Sequence, residues 1–212
     1  MNDGHALPST AMDLSRNVVA KFLEINGVHL MTPADDAYVD RYYQTVDVVC
    51  ASRRESPDEV RSHMLAGRLP IPSYLRSDGT EMLPLDYFRL ADEAGGVDEL
   101  ESWFLRHWSD RVHAVAEWQF YLNGQYVCLR STTPLLMQRK DELTADIEAE
   151  LSRPDPGSTV WLDRLHLLVD ELDELTVGFT AYDRLRFGGP VSRDTFINNV
   201  RAAYLNRDSN RS

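Results

Sequence analysis

The sequence predicts a mainly α-helical protein carrying one small β-hairpin, and three observations predict it. Apolar residues recur at helical spacing in several segments, most clearly Trp161, Leu165, Leu168, Leu172 and Leu175. Helix-start signals precede such segments, in Thr32-Pro33-Ala34-Asp35 and in Ser56-Pro57-Asp58-Glu59. A single Asp78-Gly79 pair separates two short stretches of strand character, Ser73–Arg76 and Glu81–Leu83.

Taken in order, residues 14–26 form a helix with Val18, Val19, Phe22 and Leu23 on one side, stopped at Gly27. Thr32 opens a second helix running to about Cys50, with Val39, Tyr42, Tyr43, Val46 and Val49 as its stripe. The capping box at Ser56 and Glu59 opens a short helix over 57–66 that ends at Gly67. Leu69-Pro70-Ile71-Pro72 excludes helix, because proline lacks an N–H and restricts the residue before it. The hairpin follows, then a helix over 85–94 stopped by Gly95-Gly96. Residues 97–122 read as one long helix with Phe104, Trp108, Val112, Val115 and Leu122 along one face. Asn123-Gly124 turns the chain into a short extended piece over 125–130. Pro134 begins another helix, Pro154-Asp155-Pro156-Gly157 is a turn, and Trp161–Leu175 is strongly amphipathic. Ser192 caps a last helix carrying Phe196, Ile197, Val200 and Tyr204. The expected organisation is a lead-in and first helix over 1–31, a compact module over 32–95 and a helical domain over 96–212.

Composition narrows the class. With 43% hydrophobic and 26% charged residues in 212, the whole chain is neither disordered, collagen-like nor a coiled-coil rod. The net charge of −12 argues against nucleic acid as a partner held by the overall field. That charge is uneven: residues 141–175 hold eleven acids against two bases, and 176–212 hold six bases against three acids. Cys50 and Cys128, each beside apolar residues and neither in a Cys-x-x-Cys pair, read as reduced thiols of a cytoplasmic protein. No apolar run is long enough to span a bilayer, and the N-terminus lacks the basic and apolar regions of a signal peptide.

Two constellations bear on chemistry. Arg106, Asp110, His113 and Glu117 fall on one stripe of a continuous helix, opposite its apolar face. Asp-x2-His-x3-Glu has the residue types of a metal or acid–base site, but a stripe opposite the core is normally a solvated, salt-bridged face, and no metal is assigned. Tryptophans 103, 108 and 118 at helical spacing read as core. The second is Tyr182-Asp183-Arg184-Leu185-Arg186-Phe187-Gly188-Gly189-Pro190-Val191-Ser192-Arg193. Gly188 and Gly189 allow close backbone approach, the helix starting at Ser192 offers free N–H groups, and Arg184, Arg186 and Arg193 suit a carboxylate or phosphate. In an enzyme, these would anchor an anionic small molecule, with Tyr182 or His113 transferring the proton. The alternative is a tight helix–helix turn whose arginines pair with the acidic helix over 163–174. No cofactor is identified.

The order helix, capped helix, proline step, hairpin, helix over 32–94 resembles the winged helix-turn-helix of MerR-type regulators and excisionases, with Ala66-Gly67-Arg68-Leu69-Pro70 at the exit towards the wing. That resemblance implies helix 57–66 in a DNA major groove and Arg76 on the wing. Against it, Asp58 and Glu59 would face phosphates, and 51–96 carries more acids than bases. Ala66–Tyr74, Asp78–Met82 and Tyr182–Arg193 together resemble a mainly actinobacterial family labelled "natural product biosynthesis protein". The resemblance implies a place in specialised-metabolite biosynthesis, binding an anionic intermediate or a pathway enzyme. The alternatives are a DNA-binding regulator and a non-catalytic scaffold, and a homodimer is compatible with each.

Overall fold

A computed structural model describes residues 9–205. They are mainly helical with a small three-stranded antiparallel sheet. The chain divides into two compact units, Met1–Gln125 and Tyr126–Ser212.

The first unit opens with α1 (Ser9–Asn26), whose Val18 and Phe22 are fully buried. Then come α2 (Pro33–Tyr42), β1 (Tyr43–Thr45), α3 (Val46–Cys50), α4 (Pro57–Leu65), β2 (Tyr74–Leu75) and β3 (Glu81–Pro84). It ends with α5 (Arg89–Ala94), α6 (Val97–Leu105) and α7 (Arg111–Leu122). Both capping boxes form: Thr32 accepts from Asp35 N–H while Asp35 accepts from Thr32 N–H, and Ser56 and Glu59 do the same.

The helix expected from Thr32 to Cys50 is interrupted. Tyr43, Gln44 and Thr45 leave it to pair with Pro84, Leu83 and Met82, and the Thr45 hydroxyl then caps α3 by accepting from Val48 N–H. Tyrosine and threonine suit an extended, half-buried backbone, so the ladder overrides the helical spacing. The hairpin forms as expected, with Tyr74 and Leu75 opposite Met82 and Glu81. The sheet order is β1-β3-β2. Tyr43 and Tyr74 meet edge to face across it with ring centroids 4.8 Å apart, and the Tyr87 hydroxyl donates to the Pro70 carbonyl at 2.7 Å.

The expected long helix 97–122 is two helices. After α6 the chain breaks over Arg106–Asp110, and the Asp110 carboxylate caps α7 by accepting from Val112 and His113 N–H. A capping aspartate satisfies orphan donors that a continuing helix would not leave open. The loop after α7 returns through Gly124 (φ +63°), where a Cβ would lie 3.0 Å from the Pro72 carbonyl oxygen.

The second unit contains α8 (Pro134–Leu151), α9 (Thr159–Leu175) and the short α10 (Ala181–Arg186). A closing helical segment from Ser192 makes π-type turns over Asp194–Asn198 and Arg201–Leu205. Its core is Leu143 and Ile147 of α8, Trp161, Leu165, Val169 and Leu172 of α9, and Ile197 and Val200 of the closing segment. Each such buried side chain contributes about 1.5–3 kcal/mol of transfer free energy. The extended piece expected over 125–130 amounts to one antiparallel bridge, Leu129 with Thr176.

Candidate functional site

Three places hold the residues that the sequence singles out. The first is the face made by α4 and the hairpin. Val60 and Met64 of α4 are buried, which leaves Arg61 at its edge. Arg61 does not point to solvent. Its Nε donates to both Glu81 oxygens at 3.1 and 2.8 Å, its Nη2 to Glu81 at 2.6 Å, and its Nη1 to Asp58 at 3.1 Å. Glu81 also accepts from the Ser15 hydroxyl at 3.2 Å. On the hairpin, Arg76 donates to Asp78 at 2.5 Å and to Asp40 of α2 at 3.1 Å. Ser77 donates its N–H and hydroxyl to Asp36 at 3.0 and 2.5 Å. Hydrogen bonds from Arg76 and Thr80 hold the Asp78 carboxyl well below the usual carboxylate range. Arg53 likewise bonds Asp92 and Glu55, and Arg68 bonds Asp98.

The second place is the glycine–arginine segment. Thr180 and Asp183 form a third capping box at the start of α10, burying Tyr182, Asp183 and Arg186. Thr180, three residues before Asp183, is the signal by which the sequence announces this helix. Arg184 binds Asp194 bidentately at 2.7 and 2.8 Å and also donates to the carbonyls of Phe179 and Thr180. Those hydrogen bonds hold the Asp194 carboxyl below its ordinary value. Arg193 donates to Asp173 and to the Thr176 hydroxyl, and Arg201 bonds Asp173 at 2.5 Å and Asp170 at 2.7 Å. Gly188 (φ +74°) and Gly189 (φ +154°) turn the chain between α10 and the half-buried Ser192. Arg184, Arg193 and Arg201 thus fasten α10 and the closing segment through aspartates of α9 and of that segment itself. An anion at this turn would have to displace Asp173 and Asp194.

The third place is α7. The break before it takes Arg106 and Asp110 out of the expected stripe, Asp110 serving as a cap, while a ring nitrogen of exposed His113 and a carboxylate oxygen of Glu117 stay within 4.8 Å of one another. The faces also differ from expectation at three positions, although Phe104 and Leu122 are buried and His113 exposed as expected. Ala114, Glu117, Trp118 and Tyr121 are buried, whereas Val112 is 81% exposed and Val115 43%. Phe104 of α6 packs against Trp118 (5.2 Å between centroids) and stacks on Tyr121 (5.6 Å). This large aromatic area outweighs two valines and takes Glu117 inward with it. Burial pushes the Tyr121 hydroxyl well above the usual tyrosine range. His113 belongs to the first unit and Tyr182 to the second. Among the described residues, no helix is long and apolar enough to cross a membrane.

No curated protein and no solved structure matches the chain. A family described as a family of unknown function, DUF6058, matches residues 100–205, which is half of the chain and runs from α6 to the end of the closing segment. On that match, the chain belongs to the family of unknown function DUF6058.

Proposed function

We propose that this chain is a partner-binding protein of specialised-metabolite biosynthesis, with a winged-helix-type module put to protein binding instead of DNA binding. The element order α2-β1-α3-α4-β2-β3 and the sheet order β1-β3-β2 support the module. The place in biosynthesis rests on the sequence resemblance. One observation carries the choice of partner: the arginines of α4 and the hairpin, Arg61 and Arg76, are already bonded to Glu81, Asp58, Asp78 and Asp40. Nucleic-acid affinity comes largely from cations that replace condensed counterions, and these cations would first have to leave carboxylates of the same chain. The same physics weakens the reading of the glycine–arginine segment as an anion site, since Arg184 and Arg193 are engaged by Asp194 and Asp173.

A paired experiment tests this. Duplex DNA is titrated with the full chain at about 50 and 200 mM salt, a range over which a six-phosphate contact changes affinity by roughly a thousandfold. In parallel, the chain is co-expressed with each protein encoded beside its gene. The proposal expects no salt-dependent DNA binding and one stable co-purifying protein. A DNA complex that weakens steeply with salt overturns it.

A further inference from the structure

His113 and Glu117 stand one turn apart on the same row of α7, at i and i+4. That spacing lets two side chains of one helix share an ion, because it stacks their donor atoms on one face. A ring nitrogen of His113 and a carboxylate oxygen of Glu117 lie within 4.8 Å of one another. Donors that share a zinc ion are roughly 3.4 Å apart, given bonds of about 2.1 Å and a tetrahedral angle. Rotation of the exposed imidazole closes that gap, while Glu117, 6% exposed, is held by burial. The imidazole is itself oriented: the Trp108 ring meets it edge to face with centroids 5.0 Å apart. The charge around the pair favours a cation. Hydrogen bonds from the His113 and Val112 N–H groups hold the Asp110 carboxyl below its ordinary value, so it stays charged at this end of α7 and offsets the positive end of the helix dipole. Arg111 precedes His113 by two residues, about 200° round the helix, so it stands on the other side.

We infer that His113 and Glu117 form a binding site for a divalent late transition-metal ion of the Zn²⁺ class, His113 supplying a nitrogen donor and Glu117 an oxygen donor. Imidazole and carboxylate are donors that zinc takes, whereas magnesium and calcium are held by oxygen alone, so the histidine sets the class of ion. Two donors from one helix leave the other positions of the ion to water or to further donors. Sequence spacing alone favours a solvated face for these residues, and the burial of Glu117 is what separates the pair from such a face. The site is independent of the partner-binding reading above, and neither depends on the other.

The test titrates Zn²⁺ by calorimetry into the full chain, produced without an affinity tag and stripped with a chelator. The expected result is one saturable ion per chain, with Mg²⁺ and Ca²⁺ unable to compete at about tenfold excess. His113→Ala and Glu117→Gln should each weaken Zn²⁺ binding about tenfold or more, since losing even an outer partner of a metal ligand costs that much. His107→Ala, at an exposed histidine before α7, should bind as wild type does. Cu²⁺ in the same site should show nitrogen hyperfine structure in its paramagnetic resonance spectrum, lost in His113→Ala and kept in His107→Ala. Helicity and melting with chelator present establish that each variant is folded. His113 is exposed, so His113→Ala and its copper spectrum decide the matter even where Glu117→Gln does not fold. Absence of saturable Zn²⁺ binding, displacement by Mg²⁺ or Ca²⁺, or a folded variant of either residue that binds Zn²⁺ as wild type does overturns the inference.

Discussion

Replacing Arg61 by alanine should destabilise the first unit by about 3 kcal/mol. Arg61 and Glu81 are 13% and 3% exposed, and the guanidinium supplies three of the contacts that satisfy the carboxylate. Removing one partner of a buried ion pair costs about 3–5 kcal/mol, since the other charge stays desolvated. The low end applies here, because the Ser15 hydroxyl remains on Glu81 and the vacated edge admits water. For a unit of this size, about 3 kcal/mol lowers the melting midpoint by roughly 10 °C. The assay is chemical and thermal unfolding of wild type, Arg61→Ala, Glu81→Leu and the double variant Arg61→Met/Glu81→Leu. The double variant should return to within about 1 kcal/mol of wild type, as apolar replacements of a buried pair usually do. A loss below about 1 kcal/mol for Arg61→Ala, or a double variant no better than the single, would refute the view that Arg61 is held by the fold and withheld from a ligand.

Other consequences follow from the same contacts. Gly124→Ala should cost about 2 kcal/mol in urea unfolding, because an L side chain would meet the Pro72 carbonyl in a left-handed backbone conformation. Asp194, held below its ordinary pKa by Arg184, should give the second unit stability that is present above about pH 4 and is lost as the pH falls below it. A pH series of melting midpoints should therefore show a flatter acid limb in Arg184→Ala than in wild type. Burial raises the pKa of both Cys50 and Cys128, so neither thiol should react with a disulfide reagent at pH 7 until the chain is unfolded.

Much of the fold was legible in the sequence because its signals are local. The capping boxes at Thr32 and Ser56, the Asp78-Gly79 hairpin and the Trp161–Leu175 stripe each act within a few residues, and each forms. The misses are non-local. Tyr43–Thr45 leaves a helical pattern for a partner strand some forty residues away. The break at Arg106–Asp110 hides inside a periodic apolar run, and only the Asp110 cap marks it. Spacing carried through that break puts Glu117 outside and Val112 and Val115 inside, whereas the helix restarted at the Asp110 cap buries Glu117 and exposes both valines. At the glycine–arginine segment, Arg184 and Arg193 are paired with Asp194 and Asp173. Which aspartates receive them depends on packing that spacing alone does not encode, and Asp194, one of the receivers, lies in the closing segment itself.

The most direct measurement is complementation of a strain lacking the chain, read as its metabolite profile. Wild type and Tyr182→Phe are supplied at equal soluble level. The account predicts that Tyr182→Phe restores the profile. Loss of the profile with folded Tyr182→Phe would contradict it, and would return the function to the glycine–arginine segment.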